Sequence, residues 1–476
     1  MYTFLNDTLI AFRGCFSHYQ TFSWFVILVL GFMFRDDTLG VTSVIRTLLL
    51  DPGCYEPMLH FFYSDAWNLD SLRNKWYSVV SVSGMIHKVN GKYILAGDGV
   101  KTSKEAYHMP GVKKLFQESE DSSKGEYIFG HMFGAVGAII VKGAEAFCVP
   151  LRMSIQEGLT TASSWEGSNV SAETHVQQMI RNAIEVAEQI GNSIIVLDRL
   201  FLTKNAIRLM GELNSRENHN KVEIVTKAKR NCTAYEKPPA RKKGQSGAPR
   251  KKGDTVHLSD LFNDETMFSE ATPWMYGELT TVKYLCKDLL WGPGLYRELR
   301  FVLVIYDGKK SILASTDLGL TPIQIIELYA RRFRIENCFR EFKQQIGGFG
   351  YHFWTSALEK LNHFKKKEEP DPLSKVKSEK ERRKVLGKIR AIECFVQICC
   401  ISMGLLQLIS FRETDDSEIS AARYLRTRRR KTLSEASVIY YIRRNFFALM
   451  ANHPASAITQ IIQKAQKWKN RKDKAA

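Results

Sequence analysis

Three carboxylates carry most of the chemistry legible in this chain: Asp98 within Gly97-Asp98-Gly99, Asp198 within Val196-Leu197-Asp198, and Glu336 within Arg334-Ile335-Glu336. Neither histidine nor cysteine accompanies them at metal-ligand spacing, so together they would make an all-oxygen set. Such a set suits Mg²⁺ or Mn²⁺ rather than zinc or copper. Two such ions, Mg²⁺ with Mn²⁺ as substitute, can activate the attacking oxygen and stabilise the leaving oxygen of an in-line phosphoryl displacement. Around Glu336 stand Tyr329, Arg332 and Lys343. Arginine grips phosphate bidentately and lysine acts on it as a point charge. Read singly, Asp98 is a turn residue and Asp198 a cap before a helix. Their joint placement with the Glu336 segment favours a catalytic, metal-binding triad.

A helix must carry Glu336. Thr321-Pro322-Ile323-Gln324 has the form of a helix start: threonine caps, proline suits the first position and glutamine completes a capping box. The helix is expected to run to about Ile346, before Gly347-Gly348. On a wheel turning about 100° per residue from Tyr329, Leu328, Ile335, Phe339, Phe342 and Ile346 fall between roughly −80° and −140° and form a buried stripe. Tyr329, Arg332, Glu336 and Lys343 fall between roughly 0° and −60°, beside that stripe. Glu341 falls at about +120°, close to Arg334. The expectation is that Glu341 is an outward, ion-paired surface residue. Glu336 is expected at the edge of the buried face, where a carboxylate needs a partner or a metal.

The aspartates belong to strands. GKYILAGDGV reads as an apolar strand ending at Gly97-Asp98-Gly99, and two β-rich runs follow at 127–143 and 144–155. AETHVQQMIRNAIEVAEQIG (172–191) is an amphipathic helix with a glycine C-cap. NSIIVLD (192–198) is short and all apolar, as in a strand buried on both faces, and Asp198 ends it. A helix at about 203–214 and the strand 222–228 complete the series. This order matches a ribonuclease H-like α/β core, a mixed sheet flanked by helices. The domain reading is a helical, DNA-binding N-terminal region (1–85), a first core part (86–227), a basic, β-rich insertion subdomain (228–318), the core helix with Glu336 (319–358), a charged insertion (359–390) and a helical C-terminal region (391–476). A hairpin signal stands at Tyr306-Asp307-Gly308 inside the β-rich insertion.

The 476-residue chain has a formal charge of +18, which points to a polyanionic partner, nucleic acid before a membrane surface. The run 227–253 holds ten Lys/Arg against one acidic residue, and RYLRTRRRK (423–431) is purely basic. Both are candidate phosphate contacts. Nine scattered cysteines without paired spacing indicate reduced thiols and a cytoplasmic chain. No signal-peptide pattern opens the sequence. The apolar run 22–34 is too short to span a bilayer. The longer run 391–411 carries Glu393, Gln397 and Gln407 and reads as a buried helix.

Tyr329, Arg332, Glu336 and Lys343 match, at every spacing, the YREK signature of DDE-type bacterial insertion-sequence transposases. The run 315–344 is similar to that family throughout, and Asp98 and Asp198 sit where its two aspartates sit. The resemblance covers about residues 20–410 and is weakest at the N-terminus and in the insertion. It implies cut-and-paste transposition of double-stranded DNA by a prokaryotic enzyme. One strand is hydrolysed at each element end, a hairpin forms and reopens, and the ends are joined to target DNA. It also implies a homodimer in the synaptic complex. The family's insertion supplies an aromatic residue that traps a flipped base, for which Trp274 and Trp291 are the candidates here. Ordinary subdomain-core packing is an equal reading of each. An inactive DNA-binding descendant and another ribonuclease H-like nuclease are the alternatives.

Overall fold

The computed structural model describes residues 1–37, 40–117, 125–143, 145–240, 246, 248–362, 370–412, 419 and 433–468. The basic run 423–431 lies outside the described residues, as do 241–245 and 247 of the basic insertion and 363–369 of the charged one. Five strands make the part of the sheet that matters for the carboxylates. They are β1 (Lys92–Ser103), β2 (Tyr127–Lys142), β3 (Glu145–Ile155), β4 (Ser193–Val196) and β5 (Val222–Lys227). Their order is β3-β2-β1-β4-β5, with β2 antiparallel to both β3 and β1, and β4 and β5 parallel to β1. Parallel neighbours need a crossover, and helices α6 (His175–Ile190) and α7 (Lys204–Asn214) supply it. Thr174 and Gln177 form the capping box that starts α6, and Gly191 stops it at φ 117°.

The segment between β5 and the Glu336 helix extends this same sheet. Strands β8 (Val282–Trp291), β9 (Arg297–Tyr306) and β10 (Lys309–Ser315) are antiparallel, and β10 pairs with the edge of β5. Asp307 and Gly308 both take positive φ, 49° and 68°, between the paired Tyr306 and Lys309. That is the tight hairpin its Asp-Gly pair signals. The outer strands carry a second hydrophobic cluster with Leu289, Leu299, Phe301 and Leu303. A short separate ribbon, β6 (Trp274–Met275) and β7 (Glu278–Leu279), lies against helix α8 (Pro322–Arg331).

The five N-terminal helices share one core with the sheet and the C-terminal helices. The second of them, α2 (Tyr19–Phe34), is buried along nearly its whole length against α10 (Glu379–Arg412). Helix α10 begins inside the charged stretch and is long and apolar enough to cross a membrane. Its apolar window is entirely buried in the protein. Its polar side chains reach partners on other elements, although Gln407 Oε1 is left without one. Glu393 accepts from Arg73 at 3.2 Å and from the Ile155 amide at 3.2 Å. Gln397 donates to the Leu151 carbonyl at 2.9 Å. Two further helices follow, α11 (Glu435–Asn452) and α12 (Ala457–Gln466).

Candidate catalytic site

The parallel register of β1 and β4 brings the two aspartates together. Ala96 pairs with Val196, the last residue of β4, and two residues beyond that pair stand Asp98 and Asp198, close enough for the Asp198 charge to act on Asp98. Asp98 does not close its strand. β1 runs on to Ser103, still paired with β2 through Asp98–Ala135 and Ser103–Gly130. What ends near Asp98 is the parallel ladder with β4, which opens a notch between the strands. Asp198 leads into a 3₁₀ turn, Arg199–Phe201, without capping it. The cap reading of its carboxylate therefore fails.

Glu336 arrives on a helix that is broken where a continuous one was expected. Thr321 and Gln324 form the expected capping box, but α8 ends at Arg331 and α9 (Arg334–Gln344) begins after Arg332 and Phe333. The joint is tightened by i→i−3 bonds, from the Arg332 amide to Tyr329 and from the Ile335 amide to Arg332, each at 3.1 Å. The apolar stripe survives the break: Leu328, Ile335, Phe339, Phe342 and Ile346 are all buried. The order of the two glutamates is reversed. The Glu336 side chain is 55 % exposed and the Glu341 side chain 20 %. Glu341 pairs with Arg340 at 3.2 Å and lines a cavity of about 300 Å³ with Cys148, Gln407 and Glu435. Residues from the start of α11 roof that side of α9, which no local periodicity can report. Glu336 instead faces the notch.

Arg332 ties the site together. Its Nη1 donates to Asp98 Oδ2 at 2.9 Å and its Nη2 to Glu336 Oε1 at 2.6 Å. Asp98 Oδ1 accepts from the Gly99 amide at 2.8 Å. Burial pushes the Asp98 carboxyl up to about 6; Arg332 and the Gly99 amide oppose this, and the Asp198 and Glu336 charges add to it. Burial acts against the Arg332 charge, yet Asp98, Tyr329, Glu336 and Asp198 together raise its pKa above the ordinary value. Burial pushes Tyr329 up to about 12, with Arg332 opposing and Asp198 contributing. The Tyr329 ring centroid lies 6.0 Å from the Arg332 guanidinium carbon. Lys343 donates to the Lys101 carbonyl at 3.0 Å, three residues along β1 from Asp98. Asp98, Asp198, Tyr329, Arg332 and Glu336 thus act on one another around one notch, with Lys343 anchored further along β1.

The donor set, all carboxylate, has the chemistry of a Mg²⁺ or Mn²⁺ site. Its arrangement does not fit one. Among the described residues no three carboxylate, histidine or cysteine side chains stand together as a metal-binding group. A guanidinium bridges Asp98 and Glu336 instead.

The tryptophans fare differently. Trp291 ends β8 and packs half-buried against the insertion's hydrophobic cluster, as a core residue would. Trp274 is half-buried in β6, its amide donating to Glu327 of α8 at 3.0 Å. The aromatic residue that the ribbon presents to the notch is Tyr276, which the sequence reading missed. It is 57 % exposed, sits at the ribbon's turn with φ 53°, and its ring lies 5.6 Å from that of Phe333. Arg332 and Glu336 both act on its hydroxyl, which burial shifts upward first. The one available signal was Tyr-Gly inside Trp-Met-Tyr-Gly-Glu-Leu, a turn pair between short β runs.

No family model matches the chain, and no curated protein does. Among solved structures, the chain has a similarity to a piggyBac transposase synaptic complex with hairpin DNA, determined by cryo-EM. The identity is 12 % and the TM-score 0.34, over 95 % of this chain and 76 % of that one.

Proposed function

We propose that the chain is a DDE-type DNA transposase with a ribonuclease H-like core, of the kind whose YREK spacing it carries. The observation that bears most weight is the convergence of Asp98, Asp198 and Glu336 from β1, the end of β4 and α9, with Arg332 bonded to the first and last. Such convergence of remote carboxylates in an open notch marks a site of chemistry more than one of stability, since three like charges share one arginine and their clustering costs the fold free energy. The strand order β3-β2-β1-β4-β5 supports the core assignment.

In this reading a DNA strand enters over the notch. Arg332, Lys343 and Tyr329 line its approach and hold phosphates beside the carboxylates. Water displaces the 3′ oxygen of the element end from phosphorus. The freed 3′-hydroxyl then attacks a phosphorus of the opposite strand and expels the flanking DNA's 3′ oxygen, giving a hairpin; water reopens the hairpin and frees the 3′-hydroxyl again, which attacks a target phosphorus and expels a target 3′ oxygen. Mg²⁺, with Mn²⁺ as substitute, is the cofactor this reading calls for; Asp98, Asp198 and Glu336 are the residues that would hold two ions, although Arg332 bridges two of those carboxylates here. The proposed assembly is a homodimer holding two ends.

The test is divalent-metal-dependent cleavage of end-labelled DNA taken from the flanks of the gene, run on a denaturing gel. Glu336→Ala is expected to lose cleavage and the hairpin-sized product while still binding DNA, and Glu341→Ala to keep both. Equal loss in the two variants, or binding without cleavage by the wild type, would overturn the assignment.

A further inference from the structure

Behind α9 the fold leaves a polar cavity that the proposed chemistry does not use. Arg334, Cys338, Glu341 and Gln345 recur at helical spacing and present one stripe of α9 to it, with Glu341 about 140° around the helix from Glu336. Phe147 of β3, Gln407 of α10 and Glu435 at the start of α11 complete the walls. The volume is about 300 Å³. A single ion or water needs far less; small-molecule pockets begin at about this size.

Two groups in the cavity are left wanting a donor. Gln407 is 1 % exposed, and its Oε1 has no partner among the described residues. An acceptor buried in that state costs free energy until something donates to it. Its Nε2 donates to Glu435 Oε1 at 3.2 Å, which fixes the amide with its oxygen turned away from the carboxylate. Glu435 is 7 % exposed and forms no ion pair with a described residue. Burial raises its pKa and the Glu341 charge adds to this, while its own amide, Gln407 and Arg340 oppose it. Of the two arginines in the lining, Arg340 donates to Glu341 at 3.2 Å and Arg334 lies over the Phe333 ring, 4.6 Å from its centroid. A buried carboxylate without a cation is costly, and a cation brought to it recovers that cost.

We infer that this cavity is a binding site for a small organic cation, a guanidinium or primary ammonium on a short carbon stem, whose head donates to Gln407 Oε1 and the Glu435 carboxylate. Such heads carry several N–H donors and no acceptor, which matches an orphan amide oxygen beside a carboxylate. The stem has Phe147 and the Cys148 and Cys338 thiols to lie against. The ligand would rest on the back of the helix that carries Glu336. The site stands apart from the notch and does not depend on the transposase reading.

The experiment is calorimetric titration of the intact chain with butylguanidinium near neutral pH. Saturable one-to-one binding is expected, with the uncharged isostere butylurea at least about tenfold weaker. Glu435→Gln is expected to lose about ten- to a hundredfold in affinity. Ala436→Phe adds bulk to the lining while the polar groups stay in place; it is expected to abolish binding and stands in if the first variant does not fold. Glu336→Gln, in the notch, is expected to bind as the wild type does. No binding by the wild type at millimolar concentration overturns the site. So does equal binding of butylurea, undiminished binding by the folded cavity variants, or a loss in Glu336→Gln as large as theirs. None of these results bears on strand cleavage, so the transposase reading stands or falls by its own assay.

Discussion

Asp98→Asn keeps the shape of the side chain and removes its charge, and it is expected to make the DNA-free protein more stable while abolishing strand cleavage. The Asp98 pKa rises on folding from 3.8 to about 6, chiefly through burial. A carboxyl whose folded pKa is raised holds its proton more tightly in the native state, so it lowers stability wherever it is ionised in both states. The penalty is fully present above pH 6, shrinks as the pH falls, and is gone below about 3.8. A shift of about two units corresponds to about 3 kcal/mol, or about 2 to 3 once partial exposure is allowed for. At pH 4.5 the same linkage leaves about 1 kcal/mol. His131 works in the opposite sense. Burial pushes it down to about 4 between the Pro110 carbonyl and the Tyr351 hydroxyl, so its contribution is complete above 6.5 and is lost as the pH falls toward 4. The comparison is therefore variant against wild type at each pH, by urea titration with EDTA at pH 7.5 and 4.5. The reasoning is refuted if the asparagine variant is the less stable at pH 7.5, or if its gain does not shrink on acidification.

Tyr276→Ala is expected to leave stability within about 0.5 kcal/mol, because the ring is exposed. It should weaken trapping of an unstacked base by about 1 to 3 kcal/mol, read from the fluorescence of 2-aminopurine placed at the hairpin tip. Unchanged fluorescence would remove Tyr276 from the DNA path. Trp291→Ala is expected to do the reverse, costing about 2 kcal/mol or more of stability with little effect on that signal. Gly130→Ala would set a Cβ 1.8 Å from the Thr102 carbonyl oxygen, a backbone atom that cannot step aside. It is expected to destabilise the β1–β2 pairing by about 3 kcal/mol or more, and a wild-type melting temperature would contradict the register described.

The apolar stripe of Leu328, Ile335, Phe339, Phe342 and Ile346 was legible because a helix repeats its buried face over a few residues, and so was the capping box of Thr321 and Gln324. The apolar stretch 194–197 of the NSIIVLD run was legible as β4 for a similar reason: every residue of the strand is buried. The Asp-Gly pair announced the β9–β10 hairpin because only a tight turn with positive φ uses it so well. The helix break at Arg332 and Phe333 carried no glycine or proline to announce it. That the β-rich insertion continues the sheet was not legible, since nothing in residues 228–318 says that β10 pairs with β5.

The sequence by itself determined which residue types were on offer: three carboxylates, the Tyr-Arg-Glu-Lys spacing, a basic surplus of +18, and local faces set by period. Only the tertiary structure decided what each side chain meets. Glu341 lost its solvent because residues near Glu435, far along the chain, roof that side of α9. Glu336 kept its exposure because it looks into the notch where the β1–β4 ladder ends. Arg332 stands on Asp98 rather than in solvent, because the fold sets β1 under the α8–α9 joint. Periodicity reports a short-range property, the apolar side of one element. Burial and ion pairing depend on segments hundreds of residues away, and those meet only when the chain has folded.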